Sequence, residues 1–360
     1  MQAKSLIVIF GLVLISFGAS ANPFLQGGWP DTDFSRSSVD LSEVISGGPP
    51  KDGIPAIDQP RFDSVVQAGQ WLLPREPLIV LTLHGQARAY PLQLLIYHEI
   101  VNDRIGDTPV SVTFCPLCNS SVVFDRRVQG RVLDFGTTGL LRRSDMVMYD
   151  RQTESWWQQI IGEGIVGEFA GVRLQQHPSS IVSFEEFAGT HPEGKVLNRN
   201  TGHVRSYGSN PYRGYDDIDQ VPFLFRGDVD ARLPPMERVM HIRAGAEERL
   251  YPFSRLGEMA VLNDTLGQHG IVLFSRKGLL SVLDAAQIGE SRSIQAVTAF
   301  EREFQGQILE FEVHEGMIRD RQTGSAWSLL GEAISGPLQG SSLVPAMSGI
   351  HFAFAWLAFN

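Results

Sequence analysis

The sequence predicts a β-rich α+β fold made of two tandem copies of one domain, with short strands and few short helices. Two observations carry this. The 36 glycines and 20 prolines are spread along all 360 residues, so turn signals recur too often for long helices to dominate. The chain also repeats itself. Tyr90-Pro91, Asn102-Asp103 and Gly106 return as Tyr251-Pro252, Asn263-Asp264 and Gly267, at a constant shift of 161 positions. Gly130-Arg131-Val132-Leu133-Asp134-Phe135 is echoed by Gly306-Gln307-Ile308-Leu309-Glu310-Phe311. Asp150-Arg151-Gln152-Thr153, with Ser155 and Trp157, returns as Asp320-Arg321-Gln322-Thr323, with Ser325 and Trp327. Gly162-Glu163, Ile165 and Gly167 match Gly331-Glu332, Ile334 and Gly336. Four collinear blocks with so long a period indicate a duplicated domain, not a solenoid.

In chain order, residues 1–21 read as a signal peptide. Lys4 precedes an apolar run from Leu6 to Phe17, and Ala19-Ser20-Ala21 supplies the small residues a signal peptidase accepts. That run is shorter than the roughly 20 residues a bilayer span needs, so cleavage is expected, with a periplasmic or secreted product and no transmembrane span in the mature chain. Residues 22–75, with Gly47-Gly48-Pro49-Pro50-Lys51-Asp52-Gly53-Ile54-Pro55, form an irregular N-terminal arm. The first copy occupies 76–190. Its β-prone runs are Leu78–Leu83, Val110–Phe114, Val122–Phe124, Val132–Phe135 and Met146–Tyr149, and helix is expected around Leu92–Val101 and Phe184–Phe187. Turn-forming residues make 191–236 an ordered connecting segment, and 237–360 is the second, degenerate copy. With 43% hydrophobic residues the chain can fill sizeable cores, and its net charge of −10 argues against a nucleic-acid partner. Trp156, Trp157 and Trp327 are expected in those cores.

Chemistry concentrates at Cys115-Pro116-Leu117-Cys118, which holds the only two cysteines. Two thiols so placed can share a metal, cycle as a redox pair or close an inert disulfide, and the sequence leaves all three open. Lying between two β-prone runs, the turn resembles a zinc-ribbon knuckle more than the strand-to-helix placement of a thioredoxin motif. One knuckle supplies two ligands. At the 161 shift His98, Cys115 and Cys118 face Met259, Arg276 and Leu279, so the second copy loses all three together, which makes His98 the first candidate for a third ligand. His84, His177 and His191 are further imidazoles, and Met146 and Met148 would suit Cu(I); zinc or copper is the expected metal. The same three residues, Cys115, Cys118 and His98, are the catalytic candidates, although the sequence does not decide whether the protein is an enzyme.

The copies also differ in length. Phe135 to Asp150 encloses 14 residues and Phe311 to Asp320 encloses 8, and the extra link, Gly136–Asp145, is expected to border the cysteine turn. Arg142, Arg143 and Arg151 are candidates for anion or ligand binding, against ion pairing with Asp145 and Asp150. Under thiol-disulfide exchange one cysteine attacks and the other resolves, with His98 or Arg126 favouring the thiolate. Under the third reading the protein is a non-catalytic ligand-binding or assembly module, its four-residue disulfide loop worth only about 2 kcal/mol. No nucleotide cofactor is expected: Gly162-Glu163-Gly164-Ile165-Val166-Gly167 matches the dinucleotide fingerprint by letter, but no strand-helix alternation surrounds it. His98-Glu99 opens like a zinc-protease helix, yet Asn102 stands where the second histidine belongs.

Taken together, Lys51–Pro55, Tyr90-Pro91, His98-Glu99-Ile100-Val101-Asn102-Asp103, Phe114-Cys115-Pro116-Leu117-Cys118 and Ser144-Asp145-Met146-Val147-Met148-Tyr149-Asp150-Arg151-Gln152-Thr153 resemble the bacterial domain of unknown function 3179. The resemblance spans most of the chain. It implies membership and carries over no reaction. The family commonly has Gly after the second cysteine. Here Asn119 stands in that place, a residue that tolerates the same left-handed backbone.

Overall fold

A computed structural model describes residues 28–257 and 259–360, so the expected signal peptide lies outside the described residues. Strands dominate, and among the described residues the longest helices, Leu92–His98 and Phe184–Thr190, have seven residues each. The first hairpin shows why the strands form. Pro77–Leu83 is an apolar, largely buried run that pairs antiparallel with Gln86–Pro91, and the two-residue loop between them, His84 and Gly85, has both φ angles positive (52° and 72°). That is the turn whose twist matches a β-ribbon. The helix after it stops earlier than its sequence predicts, at His98, because Glu99 (φ 60°) turns the chain into the strand Ile100–Ile105. Phe184–Thr190 is helical as expected, with Ser183 accepting from the Glu186 amide at its N-cap.

Strands Ile100–Ile105, Thr108–Cys115 and Ser120–Asp125 form an antiparallel meander. The sheet does not end there. Ser120–Asp125 pairs with Met347–Phe352, the last strand of the chain, and the sheet runs on through Arg238–Ala244 to Glu247–Pro252. With Gln176–His177 also paired to Ser120–Asp125, four strands of the first half and three of the second share one sheet. A reciprocal seam lies opposite: Ser180–Ser183 pairs with Pro77–Leu83 and lies against Ser293–Glu301 of the second half. One buried cluster accordingly runs from Ala56 to Trp356.

Residues 28–75 are less irregular than their sequence predicts. Val44–Ser46 adds an edge strand to Phe135–Arg142, Phe62–Ser64 pairs with Lys195–Leu197, and a capping box between Ser64 and Gln67 starts a short helix at Val65–Ala68. Trp29 and Val44 join Val147, Tyr149, Trp156, Ile165 and Val166 in a second, smaller cluster.

The motif Asp-Arg-Gln-Thr makes the same bonds at both of its positions. Asp150 Oδ2 accepts from Trp157 Nε1 at 2.9 Å and Asp320 Oδ2 from Trp327 Nε1 at 2.9 Å. The Thr153 amide donates to Asp150 Oδ1 at 2.8 Å and the Thr323 amide to Asp320 Oδ1 at 2.6 Å. Both indoles are fully buried, so each aspartate satisfies an N–H that would otherwise be stranded in the core.

A buried cysteine and aspartate cluster

The cysteine turn is built from its own residues. Cys115 ends the strand Thr108–Cys115, Pro116 opens a 3-10 turn over Pro116–Cys118, and Asn119 closes it in the left-handed region (φ 46°, ψ 35°), its amide donating to Pro116 O at 3.2 Å. Proline presets the first dihedral of the turn and asparagine tolerates the last. The chain then returns as Ser120–Asp125.

Asp145 is the third member. The strand Phe135–Arg142 reverses through Arg143 and Ser144, both with positive φ (52° and 67°), into Asp145–Asp150, with Arg142 opposite Asp145. This tight turn delivers the carboxylate to the thiols: ligand atoms of Cys115, Cys118 and Asp145 all lie within 4.8 Å of one another, and all three residues are buried. The Cys118 thiol donates to Ser144 O at 3.4 Å. Asp145 Oδ2 accepts from Gln158 Nε2 at 2.6 Å and from the Ile160 amide at 3.0 Å. Asp145 Oδ1 is buried with no well-aligned donor, and the only groups that favour its charge from that side are the two thiols themselves. A carboxylate oxygen so placed is costly unless something else meets it.

Burial governs the electrostatics. It pushes Asp145 up to about 6 in spite of the Gln158 and Ile160 bonds, and pushes Glu99, next to the helix end, up to about 8 with the Asp145 charge adding to the effect. Both thiols are raised as well, chiefly by burial, with Asp145 contributing, and Cys118 is raised well above the usual thiol range. A reactive thiolate needs exposure and a nearby cation. Arg126 is occupied elsewhere, donating to Leu133 O at 2.9 Å and pairing with Asp134.

His98 does not join the cluster. Its Nδ1 meets Pro55 O at 2.7 Å and its Nε2 meets Tyr207 Oη at 2.6 Å, so both ring nitrogens are committed, and burial lowers its pKa to about 4. His84 is bonded to Thr108, His177 lies 3.7 Å from Asp125 and His191 3.4 Å from Glu332. Met146 and Met148 pack in the main core. The arginines are paired, though not with Asp145 or Asp150. Arg142 meets Glu43 at 2.8 Å, Arg143 meets Glu43 at 3.2 Å and also Ala358 O, and Arg151 meets Asp58 at 2.6 Å and Asp52 at 3.7 Å. Segment 43–58 neutralises the positions considered for anion binding.

Two thiols and one carboxylate form a donor set suited to zinc. Sulfurs on a tetrahedral zinc, each about 2.3 Å from the ion, stand about 3.8 Å apart, a spacing compatible with ligand atoms that all lie within 4.8 Å of one another. Cu(I) prefers an all-sulfur set, which the carboxylate does not complete. Sequence reasoning missed Asp145 as a member of the cluster. The signal was present in the longer hairpin of the first half, whose extra residues end at Asp145 and border the cysteine turn through the Cys118–Ser144 bond.

No helix among the described residues is long and apolar enough to cross a membrane. No curated protein and no solved structure matches the chain. The family described as protein of unknown function (DUF3179) matches residues 51–360, an interval that holds the whole cluster, and the chain belongs to that family.

Proposed function

We propose that Cys115, Cys118 and Asp145 bind one zinc ion in an exported protein, and that the half beginning near residue 237 is a duplicate that keeps the scaffold without the ligands. The observation that carries the reading is the buried convergence of both thiols and the Asp145 carboxylate within 4.8 Å, with Oδ1 met by no donor other than those thiols. Zinc would replace the thiol protons and meet that oxygen. Three protein ligands leave a fourth position, so the site suits binding and transfer of the ion or zinc-assisted activation of a bound water. Gln158 and the Ile160 amide hold Asp145 Oδ2 in place, the outer hydrogen bonding that metal carboxylates need. Thiol-disulfide exchange fits less well, because both thiols are buried and raised in pKa.

Metal analysis of protein purified under reducing conditions and loaded with zinc tests this. One equivalent is expected. Cys115→Ser and Cys118→Ser should each abolish stoichiometric binding, Asp145→Asn should weaken it by about 10-fold or more, and His98→Ala should leave it unchanged. Wild-type protein that retains no more zinc than the double cysteine variant would overturn the proposal.

A further inference from the structure

A buried cluster needs a way in. Residues 217–224 of the connecting segment, which contain neither helix nor strand, reach the turn beside it through Phe223. The segment is fixed at both ends. Asp216 is fully buried and paired with Arg238 at 2.5 Å and Arg292 at 2.9 Å, while the Phe225 ring packs edge-on against Phe354 with centroids 5.4 Å apart. Between these anchors, among the described residues, the hydrogen bonds that reach beyond immediate neighbours run through Phe223. Its carbonyl accepts from Ser144 Oγ at 2.5 Å, and its amide donates to Tyr215 Oη at 3.2 Å. Tyr215 Oη in turn donates to Leu117 O at 3.0 Å. Within 217–224 only Pro222 is buried, while Val221 is 78% exposed and Phe223 is 53% exposed. A cleft of about 460 Å³ adjoins it, lined in part by Glu43, Arg143, Leu224, Phe225 and Asp228.

The latch therefore grips the two pieces of backbone that carry the cluster: Leu117 lies between the cysteines and Ser144 precedes Asp145. We infer that residues 217–224 are a hinged cover, latched by Tyr215 and Ser144, whose opening toward the adjoining cleft controls entry of solutes to the Cys115/Cys118/Asp145 cluster. For zinc as the solute this rests on the metal reading above. Drawing both thiolates and the carboxylate onto one ion would order Leu117 and Ser144 together and so tighten the latch. Low local stability is what such a cover requires: few buried contacts and few backbone bonds to the rest of the fold.

Alkylation of Cys115 and Cys118 by N-ethylmaleimide in metal-free, reduced protein tests the cover without relying on zinc. Labelling of the wild type should be slow and limited by opening. Tyr215→Phe removes both bonds of the tyrosine hydroxyl and should speed labelling about 10-fold or more, with Ser144→Ala giving a smaller increase. Hydrogen exchange of the wild-type chain provides a measurement independent of any variant: amides of 217–224 should exchange much faster than those of Thr108–Cys115. Unchanged labelling in both variants, or exchange of 217–224 as slow as that strand, would overturn the cover. Adding zinc should protect the wild-type thiols. Faster labelling in the variants without zinc protection would support the cover and reject the metal reading alone.

Discussion

The hairpins Phe135–Asp150 and Phe311–Asp320 share a base and differ at the tip. At the base, Asn102 and Asn263 each bridge to the first residue of their hairpin, donating to Phe135 O at 2.8 Å and Phe311 O at 2.7 Å, and each aspartate holds its tryptophan. At the tip they part. The first hairpin runs on to Arg143 and Ser144 and places Asp145 in the core, whereas the second turns at Glu315 and Gly316, with Glu315 exposed. The cysteine strand diverges in parallel: Arg276, at the place of Cys115, pairs with Glu186. The base of the hairpin is common to both halves, and only the first tip, with the turn beside it, holds the cysteine and aspartate cluster.

The strongest break in this comparison is at the shared base. Trp157→Ala and Trp327→Ala each remove a fully buried ring and strand an aspartate, and each should cost about 3–5 kcal/mol in denaturant unfolding monitored by circular dichroism. The two losses should be similar. A loss at Trp157 several times that at Trp327 would mean that the second base bears little load.

Much of this frame is legible in the sequence because it is local. Short β-prone runs between turn residues give the strands, and Asn119 after the second cysteine announces its left-handed closure. What the sequence hides is long-range. Asp145 reaches the thiols through a turn made by Arg143 and Ser144, which lack the Asn-Gly signature such turns usually carry. His98 vanishes from the second half together with the cysteines, yet co-loss says nothing about where a ring points, and the helix ends so that His98 turns to Pro55 and Tyr207. The carboxylate partners of Arg142, Arg143 and Arg151 lie some 90 to 100 residues upstream. The pairing of the last strand with Ser120–Asp125 is likewise beyond any local pattern.

A milder break replaces the aspartates. Asp150→Ala and Asp320→Ala leave the indole N–H and the threonine amide without their acceptor, and each should cost about 1–3 kcal/mol in the same unfolding measurement. Asp150→Ala should also weaken zinc binding, since the strand it ends begins with Asp145. Asp320→Ala should leave zinc affinity unchanged. Equal loss of affinity in both variants would show that the two hairpins are not separable into scaffold and site.

The smallest effect per unit of condition concerns the seam between the halves. His241 and His351 stack on Trp356, with ring centroids 3.7 Å and 5.1 Å away, and His351 Nδ1 meets Ser120 Oγ at 3.0 Å, so the stack bridges the end of the chain to the strand that follows the cysteine turn. Burial lowers the pKa of His241 to about 3 and that of His351 well below the ordinary value. Above pH 6.5 neither the folded nor the unfolded state is protonated there, and these groups add no pH dependence. As pH falls below 6.5 the unfolded chain takes up protons that the folded chain refuses, so stability declines, by at most about 1.4 kcal/mol per pH unit for each histidine, until the folded pKa is reached. The Arg243 charge adds to the depression at His241. His351→Gln retains a hydrogen-bonding group for Ser120 and removes one titration, so its stability should fall less steeply between pH 6.5 and 4 than that of the wild type, as read from urea midpoints at each pH. Identical slopes would mean that His351 is not held neutral at the seam.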